Sequence, residues 1–339
     1  MSFEASLLFE TADRLLAKEC TAERLLEAQA GGWLAGPWAA LEQAGLTQAM
    51  SLGEELPAST AVQLARIAGS HALPLPLAET MLAGWLLARA GLDAPEGAIS
   101  LAMGDDLSFE DGKASGTLRR VPWGRHVAHV VTVVERYGVA HLLCLPTAGA
   151  GLTEGANLAF EPRDDLAVDS APVAAAAFAD GVAGFRAAAA AIRALAMAGA
   201  MASTLDLTVR YANERSQFGR PIGKFQAIQH NMAILAGQAA AALGAGDIAA
   251  EALGAREIGV LPIAIAKVRA GEAAGIVAGL AHQIHGAIGF SQEYRLHFLT
   301  KRLWSWREEF GAEAEWSRLI GRQAVAAGPE GLWPLVASI

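Results

Sequence analysis

The spacing of apolar residues changes twice along the chain and divides the sequence into three parts. In residues 1–96, leucines and alanines recur three and four positions apart, for example over 7–16 and 62–68. This spacing predicts amphipathic helices. The segment PWAALEQAGL, with Pro37 at its start and Gly45 at its end, is typical of one short helix. We therefore expect a helical domain over residues 1–96.

The pattern is different between residues 97 and 182. Short apolar runs, namely ISLAM, HVAHVVTVV and VAHLLCLP, are separated by polar or glycine-containing stretches such as EDGKASG. Runs and turns of this length predict the strands of a small antiparallel sheet or barrel.

From residue 183 to residue 339 the helical period returns over longer segments. It predicts helices at about 186–214, from near Phe225 onward, at 261–285 and at 293–306. Long helices joined by short turns are typical of an up-and-down four-helix bundle. The predicted fold class is therefore mainly α, with a small central β domain between a helical N-terminal domain and a C-terminal four-helix bundle.

Composition excludes several classes of function. Hydrophobic residues make up 53% of the chain and charged residues 18%, so the chain can bury a sizeable core. There are 26 Lys+Arg against 35 Asp+Glu, a net charge of −9, and no basic cluster, which argues against a nucleic-acid partner. The apolar stretch 187–202 is interrupted by Arg193 and is shorter than a membrane span. The N-terminal segment is acidic where a signal peptide is basic, so we expect a cytoplasmic protein without a membrane partner.

The two cysteines, Cys20 and Cys144, lie far apart and form no C-x-x-C motif. Their spacing favours buried apolar residues of a reducing compartment over a disulfide or a metal site. No metal site is predicted.

The segment YANERSQFGRPIGKFQAIQH, residues 211–230, carries the most chemistry. A predicted helix ends before Arg215, and glycines at 219 and 223 enclose a turn. Arg215 can bind a phosphate in a bidentate manner, backbone amides in the turn can add donors, and Phe218 can cover a ring. The alternative is a plain connector between two helices with a surface arginine.

The same segment resembles the flavin-binding loop of acyl-CoA dehydrogenases, R-x-x-F-G-x-x-I-x-x-F-Q. All its positions are present, as Arg215, Phe218, Gly219, Ile222, Phe225 and Gln226. In that family the loop holds the pyrophosphate and adenine of FAD. The resemblance therefore implies FAD as the cofactor.

A second segment, QIHGAIGF, resembles the family motif Q-x-x-G-G-x-G-F. Gln283, Gly286 and Gly289 match, and Ala287 replaces one glycine. In the family this loop extends across a dimer interface to the FAD of the partner subunit. The helix WAALEQAGL also resembles a family helix, so that the resemblance covers the whole chain in layout, with its specific motifs between 211 and 316.

The family removes a proton from Cα of an acyl-CoA thioester with a carboxylate base, and passes a hydride from Cβ to the flavin and then to an electron-transfer flavoprotein or similar acceptor. In this chain the usual base position falls on Phe310, and the alternative position on the first bundle helix lies in FRAAAAAIRALAMAG, which has no carboxylate. Glu308 and Glu309 precede Phe310, and Glu309 is the candidate for a displaced base. The alternative is that WREEFGAEAEW is a charged, solvated helix end in which Arg307 pairs with neighbouring acids.

The β domain also departs from the family. The loop and strand that lie against the flavin ring are reduced to AMGDDLSFEDG and GTLRRVPWG, and Arg120 and Pro122 stand where the family has Trp and a hydroxyl residue. Contacts with the chain's own flavin ring are thus expected to be lost, while those with a neighbour's FAD are kept.

Four hypotheses follow from this selective loss. The favoured one is a companion subunit that supports a catalytic chain in an α2β2 assembly, acting on acyl-CoA thioesters in fatty acid or steroid side-chain β-oxidation. The second is a self-sufficient homo-oligomeric dehydrogenase with Glu309 as base. The third is a flavin-free structural relative, and the fourth is a related flavoenzyme for a non-thioester substrate. The Ala-rich helices of the bundle are expected to form an oligomeric interface, most simply a C2 dimer.

Overall fold

The computed structural model describes residues 3–337, without the side chains of Phe3, Glu4 and Glu54. The N-terminal part is helical, as expected. Its helices are α1 (Phe3–Glu19), α2 (Ala22–Gln29), α3 (Ala35–Gln43), α4 (Ala58–Ala61), α5 (Leu64–Ser70) and α6 (Leu77–Arg89). The predicted short helix corresponds to α3, and Gly45 follows it with φ +69°, a backbone conformation that favours glycine.

The central part consists of two four-stranded sheets. The strands are β1 (Ile99–Leu101), β2 (Leu107–Glu110), β3 (Lys113–Pro122), β4 (His129–Arg136), β5 (Val139–Pro146), β6 (Gly151–Thr153), β7 (Arg163–Pro172) and β8 (Ala174–Ala177). One sheet has the order β1-β4-β5-β8 and the other β2-β3-β7-β6. The expectation of purely antiparallel pairing is wrong at one place, because β1 pairs with β4 in parallel. The chain between them contains the β2–β3 hairpin, which supplies the crossover that a parallel pair requires.

The C-terminal part contains five long helices. They are α7 (Gly181–Glu214), α8 (Gln226–Gly254), α9 (Val260–His285), α10 (Leu296–Trp306) and α11 (Glu313–Ala337). The first four correspond to the predicted bundle helices, although α7 begins five residues earlier than predicted and α10 three residues later. The last helix, α11, was not predicted, and it bends at Gly328, which has φ +67°.

The N-terminal domain packs closely against the bundle where α5 crosses α7. A Cβ atom added to Gly69 would lie 2.0 Å from the carbonyl oxygen of Ala196, and one added to Gly199 would lie 1.9 Å from that of Arg66. The two helices therefore touch backbone to backbone through reciprocal glycines. This contact fixes the N-terminal domain relative to α7.

Two bundle helices, α7 and α8, are long and apolar enough to cross a membrane by length and composition, which the stretch 187–202 alone did not indicate. In α7, 83% of the most apolar window is buried inside the protein, so the bundle core accounts for its composition. In α8 only 33% of that window is buried, and its outer side shows small apolar residues. The outer side of α8 is therefore an apolar surface of this chain.

The order helical, β, helical is confirmed, and the chain has the predicted fold class. Both cysteines are buried and free, as expected. Burial raises the pKa of the Cys20 thiol to about 12 and that of Cys144 to about 11.

Candidate functional site

The predicted flavin loop is a short β-hairpin, which the sequence did not predict. Ser216–Gln217 pairs with Arg220–Pro221 in antiparallel register. The two turn residues between them, Phe218 and Gly219, both have positive φ, +53° and +79°. Two-residue hairpin turns of type I′ need this conformation at both central positions, which explains the glycine at 219.

Phe218 carries a left-handed backbone conformation without the freedom of glycine. Its side chain is 91% exposed, and the ring lies edge-on to Phe225 with 6.2 Å between centroids. A non-glycine residue in this region is strained, and such strain concentrates at functional sites. The turn thus holds a large aromatic ring outward, although nothing in the chain itself buries it.

Three polar side chains around this hairpin are available to a ligand. Arg215, Gln226 and Gln283 are exposed, and none of them has a side-chain hydrogen bond or ion pair within residues 3–337. A guanidinium group and two amides are suitable donors for a diphosphate and an adenine.

The second predicted loop is a 3₁₀ turn, Gly286–Phe290, directly after α9. Gly286 has φ +62° and ψ −142°, a combination open essentially to glycine alone. A Cβ atom on Gly289 would lie 3.0 Å from Leu296 and 3.1 Å from His285. Backbone geometry therefore requires the glycine at 286, and close side chains disfavour a larger residue at 289, whereas the backbone at Ala287 has no positive φ that would need glycine.

A small separate core joins the two loops. Ala212 near the end of α7, Ile222 directly after the hairpin and Ile284 at the end of α9 are buried together. Tyr211 stacks on His285 with 4.4 Å between ring centroids and donates a hydrogen bond to the His285 carbonyl at 3.3 Å. The structure thus brings the two predicted flavin motifs to the same end of the bundle.

Three buried histidines support this end of the bundle. His282 lies 2.8 Å from the Thr300 hydroxyl and stacks on Phe290, while His285 lies 3.1 Å from the Tyr294 hydroxyl. His297 lies 3.2 Å from the carbonyl of Gln292. Burial lowers the pKa of all three imidazoles.

Glu309, the candidate base, lies in a buried ion network. Its side chain is 8% exposed, and its two oxygens accept from Arg163 Nε at 2.7 Å and from Arg193 Nε at 2.6 Å. Asn157 donates a further hydrogen bond at 3.2 Å. Burial alone would raise the pKa of Glu309, but the charges of Arg163 and Arg193 outweigh it and lower the pKa to about 2.

The network continues on both sides of Glu309. Arg193 also pairs with Glu79 at 2.6 Å, and Arg163 also pairs with Glu161 at 2.9 Å. Glu161 in turn forms an ion pair with Arg302 at 2.9 Å and accepts a hydrogen bond from Trp306 Nε1 at 3.1 Å. Carboxylates and guanidinium groups thus alternate from α6 through α7 and the β domain to α10.

The expected solvated helix end is therefore wrong for Glu309. It holds for Arg307, which pairs with Glu313 at 2.9 Å and lies 3.6 Å from Glu308. Glu309 differs because the turn that follows α10 directs it inward, toward two arginines whose charges must be compensated inside the protein. As a general base, Glu309 remains a prediction that this geometry disfavours.

Lys267 stabilises the turn 307–311 from the inside of the protein. This lysine is fully buried on α9 and donates to the carbonyls of Arg307 at 2.6 Å and Gly311 at 2.9 Å. Burial lowers the pKa of its ammonium group to about 8. Phe310, at the usual base position, has φ +54°, and the Arg193 guanidinium lies 5.6 Å from the centre of its ring.

A narrow cleft lies in front of this turn. Its volume is about 160 Å³, and it is bounded by Arg120, Pro122, Glu309 and Phe310 together with residues 101–103. Ligand pockets usually span roughly 300–1,000 Å³. The residues that replace the family's flavin-ring contacts therefore line a cleft smaller than a usual ligand pocket, whereas the two loops carry donors suited to the phosphate and adenine end of FAD.

Four members of the network were not found from the sequence: Glu79, Glu161, Arg163 and Arg302. They come from three separate segments, with only Glu161 and Arg163 close in sequence, and the fold brings these segments together. Within the described part of the chain, no group of three His, Cys, Asp or Glu residues is arranged to hold a metal ion.

Comparison with known proteins agrees with this geometry. The acyl-CoA dehydrogenase C-terminal domain model matches residues 183–325. Acyl-CoA dehydrogenase IpdE2 of Mycobacterium tuberculosis is 41% identical over 104 residues, which are 31% of this chain and 31% of IpdE2. The matched stretch thus spans less than a third of that relative.

Two solved structures share the fold over nearly the whole chain. The Tcur3481–Tcur3483 steroid ACAD has a TM-score of 0.83 and 21% identity, covering 96% of this chain and 98% of its own. The ChsE4–ChsE5 complex from Mycobacterium tuberculosis has a TM-score of 0.79 and 20% identity, covering 97% of this chain and 99% of its own.

The protein thus consists of a helical domain, a β domain and a helical bundle. At one end of the bundle lie the two loops with the predicted flavin motifs. Residues 183–325 belong to the acyl-CoA dehydrogenase C-terminal domain family, and the chain shares the fold of acyl-CoA dehydrogenases along nearly its whole length.

Proposed function

We propose that this chain is a companion subunit of an FAD-dependent acyl-CoA dehydrogenase. It binds the diphosphate and adenine end of a flavin whose ring lies in a partner chain, and it does not itself remove the substrate proton. One observation carries the proposal. The side chains suited to FAD are exposed and unpaired, whereas the one candidate base is locked among buried arginines.

Neither residue at the expected base position of this chain is suited to accept the substrate proton. Removal of a Cα proton needs a carboxylate whose pKa lies near the working pH and which can approach the substrate. Glu309 has a pKa near 2, and both of its oxygens already accept hydrogen bonds from arginines. Phe310 has no group that could accept a proton.

The residues that would hold FAD are Arg215, Phe218, Gly219, Gln226, Gln283, Gly286 and Gly289. Arg215 would bind the diphosphate, the amides of Gln226 and Gln283 would bind polar groups of the adenine end, and Phe218 would cover a ring. FAD itself supplies hydride acceptance from Cβ of the acyl group. The partner that would accept the electrons is proposed to be an electron-transfer flavoprotein or a similar acceptor.

The apolar outer side of α8 supports an oligomer. Exposed residues of this helix include Ala233, Ile234, Gly237, Ala241 and Ile248. Monomeric proteins seldom expose long apolar stripes, and two-fold pairing is the commonest way to cover them. We propose a dimer, or an α2β2 tetramer, in the cytoplasm.

The partner and substrate follow from the named relatives as a proposal. One structural neighbour is a steroid ACAD with two named components, and another is a complex of two named chains. By analogy, the substrate proposed here is a bulky acyl-CoA thioester such as a steroid side chain, processed in β-oxidation.

The decisive experiment is a visible spectrum of the chain purified alone and after co-expression with the protein encoded beside it. We expect flavin only in the mixed complex, with fewer than one FAD per chain. Arg215→Ala should weaken flavin retention by roughly 10- to 150-fold, since a charged hydrogen bond contributes about 1.5–3 kcal/mol. Arg322→Ala, an exposed arginine of α11, is the matched control and should leave retention unchanged.

Two outcomes would refute the proposal. If the chain alone reduces an acceptor with an acyl-CoA, and Glu309→Gln abolishes this activity without unfolding the protein, it is a self-sufficient dehydrogenase. If the assembled complex contains no flavin, the chain is a structural relative.

A further inference from the structure

A second polar cavity lies away from both the flavin loops and the Glu309 cleft. It has a volume of about 220 Å³ and is formed by α5 and its C-terminal end, the outer side of α7 and the start of α10. Its lining residues are Ser70, His71, Ser203, Asp206, Leu207, Arg210, Arg295 and Leu299. It shares no residue with the loops proposed to bind FAD.

Two guanidinium groups face this cavity without a carboxylate of their own. Neither Arg210 nor Arg295 has an Asp or Glu within ion-pair distance in the described part of the chain, and Arg295 donates only to the His71 carbonyl, at 3.3 Å. The arginines of the Glu309 network, in contrast, all pair with acids. Two unpaired cations beside one cavity repel each other, and an anion between them would relieve that repulsion.

The remaining polar groups are suited to an oxyanion. His71 is held by Asp13, with 2.7 Å between Nε2 and Oδ1, so this pair fixes the end of α5 at the cavity wall. The Ser203 hydroxyl has no partner within residues 3–337, and the Ser70 hydroxyl donates to the Ile67 carbonyl at 2.8 Å. Arginine forks and a free hydroxyl are the donors that phosphate groups prefer in proteins.

Asp206 is the one carboxylate that lines the cavity. It lies one helical turn before Arg210, so it compensates part of the positive charge without reaching ion-pair distance. Among the lining residues, two guanidinium groups stand against one carboxylate, so the lining is positively charged in a chain whose overall net charge is −9. The cavity therefore attracts an anion that the rest of the molecule repels.

We propose that this cavity binds a phosphate group, either free or as part of a nucleotide, through Arg210, Arg295 and Ser203. The site is independent of the proposed flavin site, because Arg215 and Gln283 contribute nothing to it. It gives the chain a second anion site on the surface between the N-terminal domain and the bundle.

The test is calorimetric titration of the full chain with inorganic phosphate, pyrophosphate and ADP at constant ionic strength. We expect saturable binding that Arg210→Ala and Arg295→Ala each weaken by roughly tenfold or more. Asp206→Asn should strengthen it, since the variant removes the opposing charge. The titrations are repeated in the Arg215→Ala background, which removes the proposed diphosphate contact of the flavin loop, and binding that depends on Arg210 and Arg295 should persist there. The exposed Arg322→Ala should leave binding unchanged. ADP binding tighter than pyrophosphate would indicate a nucleotide, and equal binding a free phosphate.

Three results would overturn the site. No saturable binding of any probe would do so, and so would equal weakening by Arg322→Ala, which would indicate a general charge effect. Weakening by Arg215→Ala alone would place the phosphate in the flavin loop instead. Circular dichroism of each variant separates lost binding from lost folding.

Discussion

At the scale of single residues, Glu309 shows how a side chain can occupy a catalytic region without being able to perform the catalysis. Its neighbours Arg163 and Arg193 stabilise the charged carboxylate, which makes it a weak proton acceptor. The same contacts give it a structural role, because the buried network balances three carboxylates against three guanidinium groups, and without Glu309 one positive charge would be left over.

Replacing Glu309 by Gln should therefore destabilise the chain. The variant removes the charge that Arg163 and Arg193 share, and breaking a buried ion pair on one side costs about 3–5 kcal/mol. Urea denaturation would measure the loss. Glu308→Gln is the control, since its side chain is 56% exposed and lies 3.6 Å from Arg307, and it should change stability by less than about 0.5 kcal/mol. Equal stability of both variants would contradict a structural role for Glu309.

At the scale of elements, the glycine contact between α5 and α7 determines how the N-terminal domain sits on the bundle. Gly199→Ala would bring a methyl group within 1.9 Å of the Arg66 carbonyl, and backbone cannot yield as a side chain can. We expect a loss of about 1–3 kcal/mol or more in the free energy of unfolding, measured by thermal or urea denaturation.

Gly321→Ala in α11 is the matched control for this substitution. No atom lies within 4 Å of its added methyl group, so the higher helix propensity of alanine should raise stability by about 0.5–1 kcal/mol. If Gly199→Ala and Gly321→Ala lose equal stability, the loss comes from replacing glycine in a helix and not from the contact between α5 and α7.

Two substitutions of Phe218 in the hairpin 216–221 should separate the effect on stability from the effect on flavin binding. Phe218→Ala and Phe218→Gly both remove the exposed ring and should both weaken flavin retention in the assembled complex. Only glycine relieves the left-handed backbone, so Phe218→Gly should be about 1 kcal/mol more stable than Phe218→Ala. Equal stabilities, measured by urea denaturation, would show that the turn is not strained at this residue.

The sequence predicted the elements that depend on a local, repeating apolar pattern. The long helices α7 and α9 follow an apolar pattern and were predicted for that reason. The two flavin-type motifs are continuous segments that a sequence can display, and their role in cofactor binding stays a prediction. The sequence did not predict α11, whose pattern is interrupted by Gly328 and two prolines, nor the parallel β1–β4 pair. Strand partners that lie some thirty residues apart depend on tertiary packing, which no local pattern records.

At the scale of the whole molecule, the Glu309 network joins all three parts of the chain. Glu79 belongs to the N-terminal domain, Arg163 to the β domain and Arg193 to the bundle. No spacing along the sequence could reveal this set, because its members satisfy each other only after the three parts have docked. The network therefore links the docking of the three parts to the position of the turn that carries Glu309 and Phe310.

Acid should destabilise the folded chain, in part through three buried histidines at the end of the bundle that carries the two motifs. In the folded chain, burial lowers the pKa of His282, His285 and His297 below the usual value near 6.5. Lys301 and Arg302 lower that of His297 further, and neighbouring histidines lower that of His282, with no carboxylate among the causes. The unfolded chain therefore binds more protons than the folded chain as the pH falls below about 6.5, so stability must decrease there.

The expected slope is up to about 1.4 kcal/mol per pH unit for each histidine that stays neutral in the folded state. Denaturation midpoints between pH 8 and pH 5 would measure this slope. His282→Gln should reduce the slope below pH 6.5. Above pH 7, where imidazoles are neutral, the slopes of the variant and the original chain should differ little. Glu309 adds no loss in this range, because its lowered pKa contributes stability that disappears only below its usual value of 4.5, on the way to about 2. Stability that stays constant from pH 8 to pH 5 would therefore contradict buried, neutral histidines beneath the flavin loops.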